Sequence, residues 1–104
     1  MEPKLYNRVR FFTSSAMTNL GYCYSRGQGV PTDLSKAFEY YRKAANAGSA
    51  QGMFNVALAY QNGRGTSKNE DLAEIWFRKA ADAGHEKAKA KVQAMEEEKK
   101  KKAA

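Results

Sequence analysis

Displaced by 36 residues, the chain falls on itself. Residues 16–51 align with residues 52–87 without a gap, and twelve of the 36 positions are identical. Met17 meets Met53, Asn19 meets Asn55 and Tyr24 meets Tyr60. Gly27 and Gly29 meet Gly63 and Gly65, and Arg42-Lys43-Ala44-Ala45 meets Arg78-Lys79-Ala80-Ala81. Several mismatches keep their shape, among them Leu20/Val56, Gly21/Ala57, Tyr40/Trp76 and Tyr41/Phe77. A period of this length constrains the fold more than any single motif. One such unit cannot bury its apolar face alone and must stack on its neighbour.

Each unit reads as helix, glycine loop, helix. Ala37, Tyr40, Tyr41, Ala44 and Ala45 follow the i, i+3, i+4, i+7, i+8 spacing of a helical stripe, and Ala73, Trp76, Phe77, Ala80 and Ala81 repeat it. These aromatic residues are expected in the core. Asp33 and Asn69 precede the two stripes, where each can cap the free amides of a first helical turn. Gly48 and Gly84 stand where the chain leaves the helix with positive φ. Ser49 and His85 follow and can start the next helix. The first helices of the units are expected over about 15–25 and 50–61. Gly21 and Ala57 are small at equivalent positions, which suits close approach by a partner helix. The loops Gly27-Gln28-Gly29 and Gly63-Arg64-Gly65 lack a preceding strand and the GxGxxG spacing, so they read as turns and not as phosphate cradles.

These residues resemble the Sel1-like repeat family. The likeness is carried by Asn19-Leu20-Gly21, Tyr24, Gly27-x-Gly29-Val30 and Asp33, then by Lys36-Ala37-x-x-Tyr40-Tyr41-Arg42-Lys43-Ala44-Ala45-x-x-Gly48. Unit two repeats the pattern as far as Gly84 and departs at Thr66, Ser67 and Asn69, so that the resemblance covers about 70% of the chain. It implies an all-α fold, a tetratricopeptide-like α/α solenoid of two 36-residue repeats, with the first helix of each unit on the concave face. It also implies an adaptor or scaffold role in protein complexes. One subgroup linked to β-lactam hydrolysis is cysteine-rich, with paired cysteines in each repeat. This chain has one cysteine, and that activity is not carried over.

The chain divides into residues 1–15, a degenerate helix or N-terminal cap; repeat 1, 16–51; repeat 2, 52–87; and a C-terminal capping helix with a charged tail, 88–104. Pro3 can open a short helix with Leu5, Val9 and Phe12 on one face. Lys89, Lys91 and Gln93 replace Met53, Asn55 and Ala57, so the last helix keeps a single apolar face, as a terminal repeat should. Glu96, Glu97 and Glu98 lie four residues before Lys100, Lys101 and Lys102, spacing that suits intrahelical pairs in a solvated helix with a frayed end. Two units and a half fall short of the roughly three usually needed. Capping by the ends, self-association, or membership of a longer array are the three resolutions, in that order.

Net charge is +7, from 18 Lys and Arg against 11 Asp and Glu, and the excess sits largely at the two ends. No dense basic stripe crosses the middle, so a solvated surface is favoured over a nucleic-acid or anionic-surface footprint. Cys23 stands alone, so an intramolecular disulfide is impossible and a reducing, cytoplasmic setting is favoured. No apolar run approaches the ~20 residues of a transmembrane helix, and no signal-peptide core is seen.

On a helical wheel, Thr18, Asn19 and Tyr22 share the face opposite the inward side of the first helix. Phe54, Asn55, Leu58 and Asn62 do so in the second unit. They are the candidate partner-binding groove. Phe54, Leu58 and Tyr22 would supply apolar contact, and the asparagines would supply hydrogen bonds to a peptide. The same residues read equally as covered surface if the terminal helix or a partner subunit packs on them. Cys23 reads as a small buried residue and His85 as a structural helix-start residue. One Cys and one His cannot build a four-ligand zinc site, and no nucleophile–base set is suggested. No catalytic residue, metal or cofactor is expected. The favoured function is a protein-interaction module for a partner peptide or helix. Binding of nucleic acid or an anionic surface through the basic ends is the second reading, and β-lactam hydrolysis, by family analogy alone, the third and least favoured.

Overall fold

A computed structural model describes the backbone of residues 3–103 and the side chains of residues 14–103. Five helices follow one another: α1 (Pro3–Arg26), α2 (Leu34–Asn46), α3 (Ala50–Asn62), α4 (Glu70–Asp82) and α5 (Glu86–Ala103). Among the described residues there is no strand. α2 packs on α1 and α3, and α4 on α3 and α5, so odd and even helices form two rows. The thinnest extent of the molecule, 17 Å, is that of two helix layers. This is the α/α solenoid anticipated from the period.

The helix starts obey the same period. Asp33 Oδ1 accepts the Lys36 N–H at 3.0 Å, and Asn69 Oδ1 accepts the Leu72 N–H at 3.0 Å. Ser49 Oγ accepts the Gly52 N–H at 2.9 Å, and His85 Nδ1 accepts the Ala88 N–H at 3.2 Å. Each second helix then ends as expected, with Gly48 at φ +98 and Gly84 at φ +97. The helix opening at Pro3 and the helix expected near 15 are one element. No Pro or Gly lies between Lys4 and Leu20 to break it. The side chains of Leu5, Val9, Phe11 and Phe12 lie outside the described residues.

Two apolar clusters hold the rows together. One joins Phe54 and Ala57 to Ala73, Phe77, Ala80 and Ala88. The other joins Phe38 and Ala45 to Val56 and Ala59. Phe77 is the fully buried aromatic. Trp76, Tyr40 and Tyr41, expected in the core, are only half-buried. Trp76 and Tyr41 border the apolar clusters, and the rings of Trp76 and Tyr40 meet cations. The Lys79 ammonium lies 4.5 Å from the Trp76 ring, and Lys43 5.4 Å from Tyr40, which itself stacks on Tyr24 at 5.6 Å. Phe38, absent from the expected stripe, is buried instead.

Unit two docks on unit one through glycines. A Cβ on Gly52 would fall 2.9 Å from both Ala44 Cβ and Ala45 N. One on Gly65 would fall 2.1 Å from Leu34 O. Gly65 also has φ +78, a conformation L residues rarely adopt. Gly29, its counterpart, has φ +77 and nothing within 4 Å of such a Cβ.

α5 packs on the first cluster, with Ala88 buried and Val92 and Met95 against it. Its charges do something else. The Glu-to-Lys pairs expected within the helix are absent from the ion pairs of the described residues. Arg78 instead bridges Glu96 and Glu74 (3.3 Å to the latter), and Lys99 reaches Glu74 at 3.0 Å. Of the expected partners, Glu96 is the one that α4 takes. The helix runs to Ala103, where a frayed end was expected.

Two tests follow from the caps and the glycine docking. Gly29→Ala and Gly65→Ala share the backbone strain of a positive φ, about 1 kcal/mol. Only Gly65→Ala also collides with α2. Chemical denaturation should therefore find Gly65→Ala the less stable by well over 1 kcal/mol; equal losses would show that the loop does not dock. His85, the sole histidine, accepts a backbone N–H on Nδ1, so the neutral ring is the capping form. Burial, then the Lys87 charge, hold its pKa below the ordinary 6.5. The cap is therefore fully present above pH 6.5 and is lost as pH falls toward the lowered folded value. The unfolding free energy from denaturant titrations should fall between pH 7.5 and 5.5 by no more than the ~1 kcal/mol typical of a cap. His85→Ser, which copies Ser49, should be flat over that window.

Candidate functional site

The loops hold successive first helices apart, and side chains of the second helix fill the gap between them. Between α1 and α3 this leaves a cleft of about 530 Å³. Ala37, Phe38 and Tyr41 of α2 floor it, Tyr22 stands on the α1 wall, and Asn55, Leu58 and Asn62 stand on the α3 wall. Asn55 and Asn62 are seven residues apart, two helical turns, so they mark roughly 10 Å of one wall. The Gln51 Nε2 donates to Asn55 Oδ1 at 3.0 Å and orients that amide.

Four of the seven candidate residues thus line one cleft: Tyr22, Asn55, Leu58 and Asn62. Asn19 is exposed on α1 outside it. Thr18 and Phe54 are not groove residues. Thr18 Oγ1 donates to Ser14 O at 3.0 Å and lies 3.3 Å from Ser49 Oγ. Phe54 is 8% exposed, packs edge-on to Phe77 at 5.7 Å and stacks on the His85 ring at 4.3 Å. Both therefore face the start of the following unit. Residues 18 and 49 repeat as 54 and 85, so a hydroxyl pair in one unit has become a ring pair in the next. The aligned units contain that signal, since both positions change together. A wheel drawn on one helix cannot show it.

The wheel also left out Ser25, Leu34, Phe38 and Arg64, which come to the cleft from α1, α2 and the second loop. The Tyr41 phenol is pushed up by burial. Against this act the Ser25 hydroxyl, within hydrogen-bonding reach, and the charges of Arg64 and Arg26. Two guanidiniums accordingly lie near one phenol at the C-terminal ends of α1 and α3. The Arg26 guanidinium also sits 5.1 Å over the Tyr22 ring.

The gap recurs one unit on, between α3 and α5, with about 510 Å³. Gln61, Glu70, Ala73, Glu74, Phe77, Lys91, Ala94, Met95 and Glu98 line it. Nine positions of the first cleft reappear there, each 36 residues later. Cys23, expected to be buried, is half-buried, because its face of α1 has no packed neighbour like the one Ala59 has in α2. Among the described residues, no three His, Cys, Asp or Glu side chains gather into a metal-binding group. No described helix is long and apolar enough to cross a membrane.

The Sel1 repeat family profile matches residues 14–49 and 50–85, the same period with boundaries two residues earlier than the self-alignment places them. Among solved structures, a Sel1 repeat protein from Oxalobacter formigenes superposes with TM-score 0.75 at 38% identity over 88% of this chain. Helicobacter pylori cysteine rich protein B gives 0.72 at 34% over 74%. The protective antigen c5321 of uropathogenic Escherichia coli, which displays an SLR fold, gives 0.67 at 34% over 68%. The chain spans 36%, 58% and 15% of those proteins, respectively. No curated protein matches in sequence.

Proposed function

The chain belongs to the Sel1 repeat family, whose repeats are generally protein-interaction modules, and from that premise we propose that it binds an extended peptide segment of a partner protein in the cleft between α1 and α3. The observation that carries this reading is the cleft's composition. Its floor is apolar, Tyr22 and Leu58 offer carbon surface on facing walls, and Asn55 and Asn62 are spaced along one wall. An asparagine amide both donates and accepts, as a peptide backbone requires. Tyr22 is 45% exposed, so a large aromatic is already available to a ligand. Rigid aromatic anchors of this kind dominate peptide affinity.

The test is selection of peptides from a random displayed library on the whole chain, followed by titration of the best binder. Leu58→Asp and Tyr22→Ala should each weaken it about tenfold or more, the magnitude of a hot-spot truncation. Helical circular dichroism and a melt should show Tyr22→Ala folded. Binders that ignore both variants, yet are lost when Lys100, Lys101 and Lys102 are changed to Gln, would move the function to the basic tail.

A further inference from the structure

Two clefts of one construction differ in their charge, and the difference identifies the ligand. In the second cleft Glu74 rises from the floor at the position that Phe38 holds in the first. Its carboxylate is fully engaged there, by Lys99 at 3.0 Å and Arg78 at 3.3 Å. Both partners pull its pKa below the ordinary carboxylate value, Lys99 more strongly. That cleft therefore carries its own anion and its own cations. The first cleft has Phe38 at the position of Glu74 and carries its cations elsewhere. Arg26 and Arg64 are its charged lining residues, no acidic side chain lines it, and neither arginine makes an ion pair among the described residues.

The two arginines are also placed together. Arg26 ends α1, and Arg64 stands between Gly63 and Gly65 just beyond α3, so they approach the cleft from opposite walls at the same end. Both act on the Tyr41 hydroxyl on the floor, and Ser25 lies within hydrogen-bonding reach of it. Docking of Gly65 against Leu34 O fixes the loop that bears Arg64. Stacking on Tyr22 holds the Arg26 guanidinium over the α1 wall.

We propose that this end of the cleft is a carboxylate subsite: Arg26 and Arg64 together take an aspartate or glutamate side chain of the bound peptide, supplying the anion that the first cleft's own lining lacks. The inference rests on the cleft being a peptide site and adds the ligand's chemistry. The peptide carries an acidic residue beside apolar ones, the apolar side chains lying toward Leu58 and Tyr22. Planar guanidiniums hold a carboxylate by paired charge-assisted hydrogen bonds, which gives selectivity for the acid over its amide.

The experiment uses the whole chain and three fluorescent heptapeptide pools, each acetylated and amidated. One central position is fixed as Glu, Gln or Lys, and the rest are mixtures of Leu, Tyr, Ala and Ser. Polarization titrations should show the Glu pool binding about tenfold more tightly than the Gln pool at low salt, with the margin narrowing as salt screens the pair. Arg26→Gln/Arg64→Gln should bring the Glu pool down to the Gln pool and leave the Gln pool unchanged. Both arginines are exposed, and an unaltered melt would show the double variant folded. Glu and Gln pools binding wild type equally would overturn the carboxylate subsite and leave the peptide cleft standing. Failure of every pool to bind would overturn the cleft and the subsite with it. An amidated Gln pool that gains affinity when its C-terminus is freed, where the Glu pool shows no advantage, would assign the arginines to a chain terminus and overturn the side-chain reading. A single-stranded oligonucleotide that binds through the same two arginines more tightly than the Glu pool would replace the acidic peptide with nucleic acid.

Discussion

α3 lies on the end of α2 with almost no side chain between them. Gly52 meets Ala44 and Ala45 so closely that a single methyl would have to displace backbone. The spacing of the whole stack descends from that approach. With the helices this close, Val56 and Ala59 pack against Phe38 and Ala45. The next unit reuses the junction, Ala88 being fully buried in the cluster that holds Ala80. α1 has no second helix on that side, and the result is visible. Leu20, the counterpart of Val56, is 43% exposed where Val56 is 0%. Stability in such a stack comes from interfaces between units as much as from the units themselves. The solvent-facing side of α1 is the one place where an interface of this type is not made by the described residues.

The architecture could be read from the sequence because it depends on local chemistry repeated at fixed intervals. Asp33 and Asn69 cap, and Gly48 and Gly84 release the chain, in the same way twice, and each can be argued from one residue type at one position. The position of a helix among three neighbours is not local. α3 touches α2, α4 and α1, so nearly every face of it is apolar, and a wheel offers no means of distinguishing a face toward solvent from a face toward another helix. Phe54 shows the difficulty. Its wheel position is that of a groove residue, but its ring meets Phe77 and His85. Tyr22, four residues from Thr18 on the same face of α1, does reach the cleft. One turn of helix separates a residue that faces the next unit from one that faces the groove.

Charge was legible for a different reason, and less completely. The Glu-to-Lys spacing at the end of α5 is a sound rule for an isolated helix, worth a few tenths of a kcal/mol per pair. Arg78 on α4 takes Glu96 away from Lys100, a bridge between partly exposed groups that solvent screening keeps weak. Sequence distance ranked the partners correctly only while no other helix was present. Arg64 is the converse case. Its setting between two glycines reads as turn chemistry, which it is, and nothing in the loop tells of the cleft that α2 and α3 bring to it.

A repeat that is copied keeps what the stacking needs and is free to change what it does not. Here the positions identical in both units include the alanines of the second helices, the loop glycines, the Arg-Lys pair and Tyr24/Tyr60, while the caps keep their role with changed residues. Substitution has gone in opposite directions at the two clefts. Phe38 and Glu74 stand at one structural position, as do Asn62 and Glu98, and Asn55 and Lys91. In each pair the first cleft has the uncharged residue and the second the charged one, and of these Glu74 meets Lys99 across α4 and α5. Neutralised from within, the second cleft binds the terminal helix to the stack. The first, with an apolar floor and its cations at one end, is left with the unmatched surface.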